Sequence, residues 1–254
     1  MKFVFLDEQE GQGPQGKYTA VVAGIFDDRN INEFRHNFIR LMLDRLKLDP
    51  GENENRKINR IPLIHGSDFL PEYSDDIKLG ALSDLVSLSS RFDLKFIRIG
   101  YYDKSLFFAD PNYQIRINNV LANLNLSLCN YFSENFAYVY ELNEAFLKGR
   151  NHRPGYNDDF TVEIAAQIPF ENLSVDVVNN IGHFYCEKRN HCMYIVDVIG
   201  YLLKKVHDFE FMDNPKSDYQ NSLFDLGKSL SGRVLSNELI YYNEKEKCSK
   251  SSFL

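Results

Sequence analysis

Two apolar segments near the N-terminus, separated by a turn, constrain the fold most strongly. The first, FVFLDEQE at 3–10, runs from apolar into acidic residues, and the second, KYTAVVAGIF at 17–26, is rich in β-branched and apolar residues. Three glycines and a proline fall between them in GQGPQG, which predicts a long loop. The sequence therefore predicts an antiparallel hairpin whose first strand ends at Asp7 and Glu8.

Helical and strand-like segments alternate along the rest of the chain. The predicted helices cover 31–48, 76–92, 118–132 and 193–206, and the predicted strands cover 94–103 and 136–144. A hairpin followed by strands that are reached through helices predicts an α/β fold with a mixed sheet flanked by helices. The sequence after residue 212 predicts a weak helix followed by a frayed end. We therefore divide the chain into a domain at 1–212 and an extension at 213–254.

Composition limits the classes of partner. The 254 residues carry a net charge of −7, which gives no general electrostatic attraction to nucleic acid, although a local basic groove stays possible. The four cysteines are scattered as in a reducing compartment, and no segment resembles a secretory signal or a membrane span. We expect a cytoplasmic protein without a membrane partner, of undetermined oligomeric state.

Carboxylates stand at the ends of two predicted strands and within one predicted helix. Asp7 and Glu8 close the first strand, Glu141 and Glu144 close FAYVYELNE, and Asp197 lies inside MYIVDVIGYLLKKV. Clustered carboxylates repel one another unless a cation joins them, and oxygen ligands suit Mg²⁺ or Mn²⁺. Two such ions activate water and stabilise the leaving oxygen in phosphodiester cleavage.

Each of these acids also has a simpler interpretation. Asp7 fits a turn, Glu8, Glu141 and Glu144 fit solvated strand ends, and Asp197 fits a surface position on its helix. The hypothesis of a metal site depends on their coincidence.

Four short motifs, in order, resemble those of the DUF3800 family of mostly microbial proteins, which is thought to have a ribonuclease H-like fold. FVFLDEQE resembles the family's opening Asp-Glu-Ser-Gly strand, LIHGSDFL at 63–70 its Ile-His-Ala-Ser-Asp/Glu-Leu segment, VYELNE its later acid-ended strand, and YIVDVIGYL at 194–202 its closing Gln-Leu-Ala-Asp helix. The likeness spans about 1–206, and it implies a ribonuclease H-like mixed sheet.

The resemblance assigns roles by position. It implies that Asp7, Glu141 and Asp197 hold the metals, with Glu8 as the second acid of the opening motif and Glu144 as the reserve for Glu141. It implies that His65 or Asp68 positions water, substrate or the second ion. Without the resemblance, a structural histidine and a helix cap are the simpler interpretations of these last two residues.

The implied function is a Mg²⁺- or Mn²⁺-dependent nuclease acting on RNA or DNA, with a possible association with phage or mobile elements. Gln9 and Glu10 replace the family's Ser-Gly, and Tyr194 replaces its Gln. These bulkier residues, with the negative net charge, also fit an inactive binding or regulatory module of the same fold.

Two weaker features complete the candidates. HFYCEKRNHC at 183–192 contains four residues that zinc can bind, but their spacing is unlike a standard finger, so a zinc-stabilised interaction protein is a third hypothesis. The basic segments supply residues for a backbone-contacting groove or for solvated loops, namely Arg150, His152, Arg153, Lys188 and Arg189.

Overall fold

The computed structural model describes most of the chain. The described residues are 1–48, 61–62, 69–103, 120, 123–124, 127–132, 135–141, 180–186, 190–243 and 247–252.

Eleven helices and strands have defined bounds in these residues. The strands are β1 (Lys2–Gly13), β2 (Gly16–Asp27), β3 (Lys95–Tyr102), β4 (Phe136–Glu141), β5 (Asn180–Cys186), β6 (Val234–Asn243) and β7 (Lys247–Ser252). The helices are α1 (Ile31–Leu46), α2 (Asp75–Arg91), α3 (His191–Phe211) and α4 (Asp218–Lys228).

The strands form one mixed sheet in the order β5-β4-β1-β2-β3-β6-β7. β1 pairs antiparallel with β2, and β2 with β3, whereas β4 runs parallel to both β1 and β5. β6 runs parallel to β3 and pairs antiparallel with β7. The predicted α/β fold with a mixed sheet flanked by helices is therefore confirmed, and β3 lies inside the sheet as its apolar character on both sides indicates.

The first hairpin differs from its prediction. β1 does not end at Asp7 and Glu8 but continues to Gly13, which pairs with Gly16 across a two-residue turn. Gly16 has φ 110, a left-handed conformation that glycine adopts without strain. The expected long loop is wrong because the polar residues after Leu6 stay in the ladder with β2.

Each face of the sheet packs against helical residues. The front face includes Phe5, Val22 and Phe96, which join the core formed with α1, α2 and α3. The back face includes Leu6, Val21 and Ile97, which pack with Val120, Leu124 and Leu128 from the helical residues after β3. Consecutive residues of a strand alternate between these two cores, as strand geometry requires.

The tail contains the predicted helix, which is α4, but its end is not frayed, because β7 pairs with β6. β6 in turn pairs with β3 from Phe96↔Val234 onward. α4 packs closely on α3, since a Cβ at Gly227 would lie 2.4 Å from Val206 Cγ2. The described part of the tail thus belongs to the same sheet and core as the preceding domain.

Candidate functional site

Asp7 lies in the middle of β1, on the front face. It is paired with Val22 of β2, whose side chain belongs to the front core. Asp7 is half-buried, and it follows three buried apolar residues of β1. Asp7 therefore has buried apolar neighbours along its strand and is itself partly exposed to solvent.

Glu8 lies on the opposite side of the sheet from Asp7. It is paired with Val21, a residue of the back core, and is exposed. Because neighbouring residues of a strand project to opposite faces, the two acids do not come together. The structure therefore corrects the assignment of Glu8 as a ligand of the same metal as Asp7.

Helix α3 crosses the front face close to Asp7. A Cβ at Gly24 would lie 2.4 Å from Val196 Cγ2, and a Cβ at Gly200 would lie 3.1 Å from Val22 Cγ2. Asp197, between these two contact points on α3, is half-buried. The missing side chains at positions 24 and 200 let the helix approach the sheet where Asp7 is paired with Val22.

Glu141 is the last residue of β4, the strand next to β1. The parallel register runs from Lys2↔Phe136 to Leu6↔Tyr140, so the next register position places the backbone of Glu141 beside that of Asp7. The topology thus brings these two predicted positions together on adjacent strands. The side chain of Glu141 and all of His65, Asp68 and Glu144 lie outside the described residues.

Tyr194, one turn before Asp197 on α3, is buried against the helices. Its ring packs edge-on against Phe38 of α1, with 5.0 Å between the ring centroids. Its hydroxyl has no hydrogen-bond partner in the described part of the chain. Burial raises the pKa of Tyr194, and the nearby charges of Asp197 and Tyr73 raise it further, so the hydroxyl stays protonated and able to donate.

Arg98 of β3 forms a buried polar cluster on the same face, and its role was not predicted from the sequence. Its side chain is fully buried (0% exposed). Nε donates to Gln9 Oε1 at 2.8 Å, Nη2 to the Tyr18 hydroxyl at 2.9 Å, and Nη1 to Asn237 Oδ1 at 3.2 Å. The guanidinium also lies 5.2 Å from the centroid of the Tyr18 ring, which favours a cation through the ring quadrupole.

Small residues make room for this Arg98 cluster. A Cβ at Gly11 would lie 2.3 Å from the Tyr18 ring, and one at Gly13 would lie 2.6 Å from the Tyr102 hydroxyl. The sequence does carry a signal for the cluster, since an arginine in the middle of a strand that is apolar on both sides has to find polar partners inside the protein.

His207 extends the polar region along α3. It is fully buried, and its ring centroid lies 5.5 Å from that of Tyr18. Burial lowers the pKa of His207, with a smaller contribution from the charge of Arg98, while Asp208 opposes the shift. Lys204 Nζ donates to Asp208 Oδ2 at 2.8 Å one helical turn apart, which keeps this carboxylate paired.

The four zinc-type residues of 183–192 divide between two elements. His183 and Cys186 belong to β5, and their side chains lie outside the described residues. His191 and Cys192 begin α3, where both are buried and His191 packs 5.7 Å from the ring centroid of Phe34. Asn190 caps this helix by accepting from the Cys192 backbone N–H at 2.9 Å.

The donor chemistry at the β1–β4–α3 junction is carboxylate oxygen, the type that Mg²⁺ and Mn²⁺ prefer. Among the described side chains, no group of three or more His, Cys, Asp or Glu is placed to hold a metal ion. The junction consists of Asp7 on β1, Glu141 at the end of β4 and Asp197 on α3. The side chains of Asp7 and Asp197 are described, whereas only the backbone of Glu141 is.

Fold and site together define an α/β protein with a mixed sheet, flanked by helices, whose front face carries acids at the β1–β4–α3 junction. No protein-family model and no curated protein sequence matches the chain. Within the described residues, none of the helices has the length and apolar character needed to cross a membrane.

Proposed function

We propose that this protein is a metal-dependent nuclease of ribonuclease H-like fold, which hydrolyses phosphodiester bonds of RNA or DNA with Mg²⁺ or Mn²⁺. The observation that carries the proposal is the approach of α3, with Asp197, to the part of β1 that contains Asp7, next to the strand that ends at Glu141. These are the same three acids to which the sequence motifs assign the metal.

The topology of the first five strands supports the fold part of the proposal. Their order is β5-β4-β1-β2-β3, and β2 alone runs opposite to the other four. A mixed sheet with helical residues on both faces is compatible with the ribonuclease H-like fold that the motifs imply. β6 and β7 extend the sheet beyond β3, on the side away from the acids.

In this proposal, Asp7, Glu141 and Asp197 hold the metal through carboxylate oxygens. A Mg²⁺ or Mn²⁺ ion held there would supply a nucleophilic water and stabilise charge on the phosphate. The half-buried setting of Asp7 and Asp197 keeps the carboxylates in place while leaving an approach for substrate. His65 and Asp68 are proposed to position water or substrate, following the motif in which they occur.

Cleavage by purified protein tests the proposal directly. Single-stranded and duplex RNA and DNA are incubated with Mg²⁺ or Mn²⁺, and Asp7→Asn and Asp197→Asn are compared with the natural protein. We expect each variant to lose cleavage by at least about a hundredfold, because each removes a charged ligand without changing side-chain size. Asp225→Asn, at an exposed position of α4, is the matched control and retains activity.

A binding or regulatory module that has lost catalysis is the second candidate. The buried Tyr194 beside Asp197, and Gln9 beside Asp7 on β1, favour it because both are larger than the residues of the resembling motifs. Calorimetric titration with Mn²⁺ separates the candidates. Absence of binding at millimolar Mn²⁺, together with absence of cleavage, favours the module and contradicts the nuclease.

The cytoplasmic location, the nucleic-acid partner and any association with phage or mobile elements are part of the same proposal. The location depends on the scattered cysteines, and the other two depend on the motif resemblance. The cleavage assay tests the nucleic-acid partner.

A further inference from the structure

The orientation of the Gln9 side chain is fixed by chemistry. The guanidinium of Arg98 carries only donors, so the amide atom that meets Arg98 Nε at 2.8 Å has to be the oxygen Oε1. The amide nitrogen Nε2 therefore occupies the other branch of the side chain. Since Arg98 is fully buried and held by two further partners, this orientation is rigid.

The nitrogen of Gln9 is directed towards α3. Nε2 lies 3.4 Å from the position that a Cβ would occupy at Gly200, one helical turn after Asp197. In the described part of the chain, the bond from Arg98 is the one side-chain hydrogen bond that Gln9 makes. Gln9 is half-buried and two residues from Asp7 on the same face of β1, about 7 Å along the strand.

We infer that the Gln9 amide nitrogen, held in place by Arg98, binds a non-bridging phosphate oxygen of the substrate beside the carboxylates of the proposed site. The inference rests on the proposed nuclease function and identifies a residue for binding the phosphodiester. Gln9 is one of the positions at which this chain departs from the resembling motif.

Physical chemistry explains why an amide suits this position. A phosphodiester is repelled by the acids that bind the metal, so the site needs a donor that does not also form an ion pair with those acids. The neutral amide N–H₂ of Gln9 meets this need. The Arg98 guanidinium, which donates to Oε1, polarises the amide and strengthens its N–H groups as donors.

Gln9→Glu is the sharpest variant. The carboxylate still accepts from Arg98, so the buried guanidinium keeps its partner, but an anionic oxygen replaces the donor Nε2. With a phosphodiester substrate and saturating Mn²⁺, we expect KM to rise by about tenfold or more, the size of one hydrogen bond to a charged group. We expect kcat to change by less than threefold and the affinity for Mn²⁺ not to fall.

Two further variants control the experiment. Gln12→Glu adds the same charge to the same strand at an exposed position of the opposite face and leaves KM unchanged. Gln9→Met adds no charge but removes both the donor Nε2 and the acceptor of Arg98 Nε, so its fold is checked by circular dichroism, and it raises KM by a smaller factor of about three to ten. Affinity for short labelled oligonucleotides of DNA and of RNA, measured by anisotropy with Ca²⁺ in place of Mn²⁺, gives a second readout that does not require turnover.

The outcomes distinguish the inference from the function it rests on. If Asp7→Asn abolishes cleavage but Gln9→Glu and Gln9→Met keep the KM and oligonucleotide affinity of the natural protein, the Gln9 contact is wrong and the nuclease stands. If Gln12→Glu raises KM as much as Gln9→Glu, the effect is one of net charge and the inference is overturned. If the natural protein neither cleaves nor binds the oligonucleotides, both are overturned.

Discussion

The front face of the sheet carries two polar regions that differ in how deeply their charged side chains are buried. On the β3 side, Arg98 is fully buried and meets three neutral side chains from three strands. On the β4 side, Asp7 and Asp197 are only half-buried. Arg98 and Asp7 are separated by a single strand, since both are paired with Val22.

The difference in burial indicates that the charge of Arg98 has a structural role and that the charges of Asp7 and Asp197 have a chemical one. The protein surrounds the buried cation with its own acceptors, as folding requires of a charge removed from water. The carboxylates of Asp7 and Asp197 instead stay partly exposed to solvent, as the proposed binding of a metal ion and a substrate would require. We therefore expect the Arg98 cluster to determine stability and the acids to determine activity, with Gln9 as the residue that belongs to both.

The largest expected difference between the two regions is in how much a substitution lowers the free energy of unfolding. Arg98→Met leaves Gln9, Tyr18 and Asn237 without their donor inside the protein, and we expect it to lower the free energy of unfolding by about 3–5 kcal/mol. Asp7→Asn keeps the size of a half-buried side chain, and we expect a change of less than about 1 kcal/mol. Urea unfolding followed by circular dichroism measures both.

Equal effects on stability would contradict the division between the regions. Arg98→Lys is the informative companion to Arg98→Met, because it keeps the charge but not the planar fork that reaches three acceptors. We expect it to recover less than half of the loss.

Substituting a glycine beside Arg98 tests how tightly the buried region is packed. A Cβ at Gly100 would lie 2.6 Å from Ala20 Cβ and 2.7 Å from the Thr19 backbone oxygen. Because backbone has to move, we expect Gly100→Ala to cost about 2–3 kcal/mol of unfolding free energy. Gly232→Ala is the matched control, since nothing lies within 4 Å of its Cβ position, and it should be nearly neutral.

The helices were predictable because their apolar spacing is local information. α1 begins at the predicted Ile31, and α2 covers Asp75–Arg91 against the predicted 76–92. The length of β1 was not predictable in the same way. Its second half alternates half-buried and exposed polar residues, and it stays extended because β2 pairs with it and not because of its own composition.

The tail and the Arg98 cluster depend on contacts between distant parts of the chain. β6 becomes a strand by pairing with β3, more than a hundred residues earlier, and nothing in VLSNELIYYN fixes that partner. The acids at Asp7 and Asp197 were found from their positions in the predicted elements, whereas Gln9 was noted only as a departure from a motif. Its bond to Arg98 joins residues 89 apart in sequence.

His191, the first residue of α3, shows how a buried neutral group makes stability depend on pH. It is 6% exposed and packs beside Phe34 and Phe38. Burial lowers the pKa of His191 from 6.5 to about 4, with smaller contributions from the charges of Arg35 and His36, against a backbone hydrogen bond involving Ile31.

The sign of the effect follows from proton linkage. Between pH 6.5 and pH 4, the unfolded chain binds a proton at His191 that the folded protein does not, so stability is complete above pH 6.5 and falls as the pH falls towards 4. We expect His191 to contribute a loss on the order of 1–2 kcal/mol between pH 8 and pH 5. Urea unfolding at a series of pH values measures it.

The control variants separate this histidine from the others. His191→Phe removes the titrating group from an aromatic environment, so the pH slope should become shallower, with His207 supplying part of the remainder because burial lowers its pKa as well. His36→Gln, at an exposed position of α1, removes only one of the smaller contributions to the His191 pKa, so it should make the slope only slightly shallower. An unaltered slope in His191→Phe would mean that the buried imidazole does not govern the acid side of folding. The acid dependence would then belong to carboxyl groups whose pKa is lowered in the folded protein, such as Asp93 and Asp208, whose contribution to stability is lost as the pH falls.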